Sequence, residues 1–285
     1  MLKTALIACA LLAATPAAAA APSPAEIEKA ERAFAADGLA LGVRDSFLKH
    51  MADDAIVFRP GPVNAKALYE GRPSSKAGRL EWWPQKVVIA RSGDLGLSVG
   101  PAAVNGQRGG YYATIWRKAA DGQWKWIYDG GAEADGAKAP GQDTPAIHGP
   151  IARTGAKSPA AGFDAARLAE TALAKAAENN APNAYRTALP ADAWLLGPEG
   201  TAGLTPDALA ERIDARPERM ILTLRGGGAS AAGDLVWTHG EAGWVDHQEI
   251  IRHAHYMHVW QRRAEGWRLI FETCLLYTSP SPRDS

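Results

Sequence analysis

Tyr112-Ala113-Thr114-Ile115-Trp116, followed by Trp124, is written a second time as Tyr256-Met257-His258-Val259-Trp260, followed by Trp267. The offset is 144 residues for the first segment and 143 for the closing tryptophan. Upstream, Asp54-Ala55-Ile56-Val57-Phe58 matches Asp192-Ala193-Trp194-Leu195-Leu196 at an offset of 138, and Gly93-Asp94-Leu95 matches Gly233-Asp234-Leu235 at 140. So small a drift across so many anchors marks an internal duplication, each half being one structural unit.

Within each half the apolar period changes from helical to strand-like. Ile27, Ala30 and Phe34 fall at helical spacing, and Val43, Phe47, Leu48 and Met51 continue that face. Strand-like runs follow at 55–58, 86–90, 95–99, 111–118 and 124–129. The second half repeats the order, with a helix over 164–189 and strands at 193–196, 220–224, 235–239, 250–262 and 267–272. Helices first and an antiparallel sheet afterwards give an α+β class. The predicted organisation is a first domain over 22–131, an Ala/Gly/Pro-rich linker over 132–162 and a second domain over 163–273.

Both ends read as foreign to the fold. Residues 1–21 have the form of a secretory signal: Lys3, an apolar run from Ala5 to Ala14, then small-residue cleavage sites. The expected location is therefore periplasmic or secreted, with no membrane span once the signal is removed, because that run is half the roughly 20 residues a span needs. The last twelve residues, Cys274 to Ser285, resemble a translated sequencing adapter and are expected to form no folded element. Removing both ends takes away Cys9 and Cys274, so no disulfide, thiol nucleophile or thiolate metal site is expected.

Charge and motifs exclude several functions. The 31 Lys and Arg balance the 31 Asp and Glu in a chain of 285 residues, so there is no basic field to hold nucleic acid. Gly226-Gly227-Gly228 lacks the Lys-Ser/Thr of a phosphate-binding loop, and no serine nucleophile elbow occurs.

Phe58-Arg59-Pro60-Gly61-Pro62, Leu80-Glu81-Trp82, Ala90-Arg91-Ser92-Gly93-Asp94-Leu95-Gly96 and Tyr112-Ala113-Thr114-Ile115-Trp116-Arg117 leading into Asp121-Gly122-Gln123-Trp124-Lys125 resemble an exported bacterial branch of the nuclear-transport-factor-2-like superfamily. Steroid delta-isomerase-like, scytalone dehydratase and SnoaL-like polyketide cyclase proteins belong to the same superfamily. The resemblance covers residues 25–131 well and 163–273 more weakly. It implies two cone-shaped domains, helices packed on a curved antiparallel sheet around a cavity, paired sheet to sheet as a pseudo-dimer. The sheet faces also offer a route to self-association. No position matches the base of the isomerases or the Asp-His arrangement of the cyclases, and a fold reused this widely does not give function.

The candidate site comes from pairing the last two strands of each half. With Arg117 opposite Trp124, Trp116 faces Lys125, Thr114 faces Ile127 and Tyr112 faces Asp129. With Gln261 opposite Trp267, Trp260 faces Arg268, His258 faces Ile270 and Tyr256 faces Glu272. Tyr112, Thr114, Trp116 and Asp129 then share one face, as do Tyr256, His258, Trp260 and Glu272. The opposite face carries Ala113, Ile115, Trp124, Trp126 and Tyr128 in one half, and Met257, Val259, Trp267, Leu269 and Phe271 in the other. The polar faces are expected to line the two cones. A carboxylate in an apolar cavity has its pKa raised by desolvation, which suits it to proton transfer or to donating a hydrogen bond. Asp129 and Tyr112, or Glu272, Tyr256 and His258, are the candidate catalytic groups; the competing reading is a solvated face with carboxylates at strand ends.

Arg59, at a strand end, has two readings: a structural ion pair with Asp53, Asp54 or Glu81, which is favoured, or a contact with an anionic substrate at the cone mouth. His253-x-His255 with Glu249 at the same parity admits a zinc-like site, but no third ligand is fixed and a polar edge cluster is favoured, so no metal is assigned. No cofactor is expected. The function expected is binding of a small, largely apolar or amphipathic molecule in one or both cavities. The alternatives are a cofactor-independent acid-base enzyme of isomerase, dehydratase or cyclase type, and a structural or interaction module.

Overall fold

The computed structural model describes residues 21–134, 136–197 and 202–276. Residues 1–20 of the expected signal and 277–285 of the expected foreign tail lie outside that set.

The chain is α+β with two sheets. The first half runs α1 (Ala25–Leu41), α2 (Val43–His50), β1 (Met51–Phe58), β2 (Pro62–Asn64), α3 (Ala65–Glu70), β3 (Leu80–Trp82), β4 (Lys86–Ile89), β5 (Leu95–Val104), β6 (Gln107–Lys118), β7 (Trp124–Glu133) and β8 (Ile147–His148). Its sheet has the order β2-β1-β7-β6-β5-β4-β8, with β3 also on β5. The second half runs α4 (Pro159–Ala188), β9 (Trp194–Leu196), β10 (Ala202–Gly203), α5 (Pro206–Asp214), β11 (Ile221–Ala229), β12 (Leu235–Val245), β13 (Ile251–Arg263) and β14 (Gly266–Leu276). Its sheet order, β10-β9-β14-β13-β12-β11, repeats the centre of the first. β1 runs parallel to β7 and β9 parallel to β14; the other neighbours are antiparallel except β4 and β8, which are parallel.

The helices pack on one face of each sheet through matching stripes. Ile27, Glu31, Phe34 and Gly38 are the buried positions of α1, and Ala166, Glu170, Leu173 and Ala177 occupy the corresponding turns of α4. The spacing i, i+4, i+7, i+11 is one helical face. Pro182 lies in α4, and Asn180 (φ −154°, ψ 91°) breaks its helical backbone before the last two turns. Beneath α1, Phe34 packs edge-on against Phe47 and Trp82, their ring centroids 4.8 and 4.9 Å away. Residues from the other faces of both sheets, among them Leu97, Ile115 and Tyr128 of the first and Trp237, Val259 and Phe271 of the second, form one shared apolar cluster.

Several expectations are corrected. Most strands are longer than their apolar cores suggested, β4 and β9 being one residue shorter, and α3 and α5 are additional helices, capped by the side chains of Asn64 and Thr205. Within 132–162, β7 continues to Glu133, β8 pairs with β4, and Trp83 and Arg108 donate to the carbonyls of Pro140 and Ala139. That segment is therefore laid along the first domain. Cys274, Leu275 and Leu276, expected to form no folded element, are the last ladder residues of β14, and Cys274 is buried. Backbone pairing and an alternating in-out pattern suffice to extend a strand.

The expected hairpin registers are shifted by two. In the first, Lys118 faces Trp124 and the register then steps between Ile115 and Trp116, so that Thr114 faces Asp129 and Trp116 faces Trp126. In the second, Arg262 faces Trp267, the step falls between Val259 and Trp260, and His258 faces Glu272. Ile127 and Ile270 are the extra residues, one bulge in the same place in each half. A turn one residue off and a one-residue bulge together move the pairing by two. Asp129 and Glu272 therefore keep their expected face, whereas Trp126 and Leu269 change to the helix side and Ile127 and Ile270 leave it. Trp124 and Trp267, also expected on the opposite face, pack at the edge of the helix-side clusters.

Candidate functional site

Three central strands (β5, β6 and β7, or β12, β13 and β14) and the first helix of each domain bring the same six positions together. In the first domain they are Glu31, Ser98, Tyr112, Thr114, Trp116 and Asp129. In the second they are Glu170, Thr238, Tyr256, His258, Trp260 and Glu272. Glycine stands opposite the tyrosine in both ladders, at Gly100 and Gly240. A Cβ on Gly240 would lie 2.5 Å from the Tyr256 hydroxyl oxygen, so only glycine admits the ring there.

In the first domain the Thr114 hydroxyl donates to Asp129 at 2.9 Å, and Tyr112 and Ser98 share a hydrogen bond of 2.8 Å. Glu31 is fully buried and accepts from the indole N–H groups of Trp82 at 2.7 Å and Trp116 at 2.8 Å. No cation is paired with either carboxyl among the described residues. Burial pushes Glu31 up to about 7, against the hydrogen bonds from Trp116 and Trp82. Burial also pushes Asp129 up to about 8, with Glu31 adding to the rise and Thr114 opposing it. Tyr112 is raised by burial and stays a neutral phenol. These two carboxyls hold protons near neutral pH because ionising either one places an unpaired charge among apolar neighbours.

A cavity of about 320 Å³ opens on this group. Asp129, Tyr112 and Tyr69 lie along it with Phe47, Val57 and Trp82, and Arg59 and Arg72 also line it. Of the residues expected to line the first cone, Tyr112, Asp129 and Arg59 do so. Thr114 and Trp116 are fully buried behind them.

The second domain fills the same positions with charge. The His258 ring lies 2.9 Å from Glu170 on one side and 2.6 Å from Glu272 on the other. Arg216 pairs with Glu272 and lies over the Tyr185 ring, 3.4 Å from its centroid. Burial opposes the imidazolium, but Glu170 and Glu272 outweigh it and raise His258 to about 9. Burial likewise opposes ionisation of Glu272, and Arg216 and His258 hold it far below the usual carboxylate range. Glu170 is lowered as well, burial being overcome by His258. A cavity of about 470 Å³ in this domain is walled by Arg212, Arg216, Glu218, Met220, Trp244 and Cys274, among others. Tyr256, His258, Trp260 and Glu272, expected to line the second cone, are not among its walls; they are buried in the ion-pair network.

Glu31 and Glu170 are absent from the sequence-derived site. The signal was present: Lys29-Ala30-Glu31-Arg32-Ala33-Phe34-Ala35 matches Leu168-Ala169-Glu170-Thr171-Ala172-Leu173-Ala174 at an offset of 139, with a carboxylate in the apolar stripe of each helix. The zinc-like reading of His253, His255 and Glu249 is corrected. Glu249 sits in the Asp246–Ile250 turn with φ 61°, outside the strand that carries the histidines, and His255 packs on Phe58. Among the described residues no group of three or more His, Cys, Asp or Glu is placed to hold a metal ion. No described helix is long and apolar enough to cross a membrane.

No protein-family model matches the chain, and neither does any curated protein. Solved structures are similar to parts of it. A ketosteroid isomerase-like protein from Erwinia carotovora atroseptica is 16% identical, with a TM-score of 0.36, over 41% of this chain and 97% of its own. A nuclear transport factor 2-like protein of unknown function from Pseudomonas putida is 12% identical, with a TM-score of 0.34, over 43% and 99%. A nuclear transport factor 2-like superfamily protein from Salmonella enterica is 10% identical, with a TM-score of 0.36, over 44% and 98%. Each of these matches takes in less than half of this chain and nearly all of the other.

Proposed function

We propose that this is an exported protein whose first-domain cavity binds a small, largely apolar or amphipathic molecule, with the Asp129 carboxyl group meeting the ligand's polar atom. One contrast supports this most: Asp129 lines a cavity and among the described residues is hydrogen-bonded by the Thr114 hydroxyl and in no ion pair, whereas Glu272 at the matching position is neutralised by Arg216 and His258. A neutral carboxyl in an apolar pocket donates a strong hydrogen bond to a carbonyl or hydroxyl oxygen. The second domain, on this reading, is a structural partner, and the shared apolar cluster is an intramolecular version of a dimer contact.

The test is a thermal-shift screen of small aromatic and alicyclic carbonyl compounds on the full chain, repeated with Asp129→Asn and Glu272→Gln. Ligands should stabilise the wild type and lose affinity in Asp129→Asn. A screen without stabilising compounds, or one whose hits bind Asp129→Asn unchanged, refutes the proposal. A second reading, proton transfer, is favoured by one observation: Glu31 and Asp129 both titrate near neutrality, as a general acid or base should. Chemical change of a bound ligand, abolished in Asp129→Asn, would select it.

A further inference from the structure

The three carboxylates that the sequence offered to Arg59 are all engaged elsewhere. Asp53 pairs with Lys66 at 2.6 Å, Asp54 with Arg117 at 2.7 Å and Glu81 with Arg79 at 2.9 Å. The Arg59 guanidinium donates instead to the carbonyl of its neighbour Phe58 at 2.8 Å. Arg72, across the same cavity, lies over the Tyr69 ring at 5.3 Å from the centroid. Neither arginine is in an ion pair among the described residues, and both are exposed where they line the cavity.

The cavity therefore has two guanidinium groups outside any ion pair among the described residues, apolar walls from Val43, Phe47, Val57 and Trp82, and one carboxyl, Asp129, which burial keeps protonated against the pull of Arg59. Its electrostatic sign is positive. We infer that the first-domain cavity selects amphipathic anions, a carboxylate or sulfonate held by Arg59 and Arg72 and an apolar body lying against Phe47 and Trp82. Guanidinium forks bind such groups in two-point geometry and lose little hydration in doing so. The only carboxyl among the described wall residues, Asp129, is held protonated by burial although Arg59 opposes this, so an incoming anion supplies the counter-charge that the wall lacks. This inference rests on the cavity being a ligand site and adds the chemical class of the ligand.

Isothermal titration of the full chain with 2-naphthoate and with its neutral isostere 2-naphthamide tests it. The carboxylate should bind about tenfold or more tighter than the amide at low ionic strength, a preference that shrinks as salt screens the arginines. The double variant Arg59→Gln/Arg72→Gln should lose the preference and keep the amide affinity; both side chains are exposed, so the fold should tolerate the change. Equal affinities for acid and amide, with both weakened by Asp129→Asn, overturn the anion assignment and leave the cavity reading standing. Carboxylate binding that ignores the double variant also overturns it. Failure of both probes to bind overturns the two readings together.

Discussion

The Nε2 atom of His258 meets Glu272 Oε2 at 2.6 Å, and at the matching place in the first domain the hydroxyl of Thr114 meets Asp129 at 2.9 Å. One difference between these matching positions, a neutral hydroxyl against an imidazole, changes the ionisation of everything around it. The imidazolium allows Glu170 and Glu272 to ionise inside the protein, and Arg216 completes the neutralisation. With threonine there instead, no cation pairs with Glu31 or Asp129 among the described residues, and these carboxyls keep their protons. The second half holds a closed electrostatic network and the first an open cavity with titratable walls.

The stability of the first domain should fall as pH rises. The folded-state pKa values of Asp129 and Glu31, about 8 and about 7, lie above their ordinary values of 3.8 and 4.5. Between those limits the folded chain holds protons that the unfolded chain has released, so each group costs stability by up to about 1.4 kcal/mol per pH unit. The melting temperature of the wild type should drop between pH 5 and pH 8, and Asp129→Asn should flatten that slope. Equal slopes would show that Asp129 is ionised in the folded state.

The second domain should respond in the opposite way at its acidic limit and in the same way at its basic one. His258, raised to about 9, stabilises the fold below its ordinary value of 6.5, and that contribution is lost as pH rises toward 9. Glu272 and Glu170, lowered by their cationic partners, contribute above the ordinary carboxylate range and lose that contribution in acid. Imidazole NMR signals of His258 should therefore remain those of the cation at pH 7.5. A neutral imidazole at that pH would dissolve the network described here.

Truncating the two matched carboxylates should have unequal consequences. Glu272→Ala leaves Arg216 buried without its anion and His258 with Glu170 alone, and removing one partner of a buried ion pair is a class of change that costs about 3–5 kcal/mol. Asp129→Ala removes a neutral group with one hydroxyl partner and should cost no more than about 1–2 kcal/mol. Urea unfolding followed by tryptophan fluorescence separates the two, and similar midpoints would mean that the copies are electrostatically alike.

The α+β layout with two sheets was legible because strand cores and turn glycines keep their spacing in both halves, and Asp129 and Glu272 were legible as carboxylates at matching strand positions. The bulges at Ile127 and Ile270 were not. An isoleucine at a bulge has the same composition as one in a regular ladder, and the step is set by how the strand meets its neighbours. Glu31 and Glu170 were hidden for a different reason. A helical period read from apolar residues passes over a glutamate in its stripe, although a carboxylate there can only be functional or paired. Arg216 was out of reach altogether, since its partner Glu272 is 56 residues away and no local pattern joins them.

The bulge itself is the most direct test of how the first site is built. Deleting Ile127 would restore an unbroken ladder between β6 and β7, and because side chains alternate with a period of two, one residue fewer turns everything on one side of the deletion to the opposite face. If the turn at Gly122 and Trp124 holds its register, Asp129 moves from the helix side, away from the cavity it lines, into the apolar cluster shared by the two sheets. If the far end of β7 holds instead, Trp126 is driven out from beneath Phe34. Either outcome should lower the melting temperature by several degrees and abolish ligand stabilisation, whereas Ile127→Val, which keeps the residue count, should leave both nearly unchanged. A deletion variant that retains wild-type stability and ligand response would show that the bulge does not set the face on which Asp129 stands.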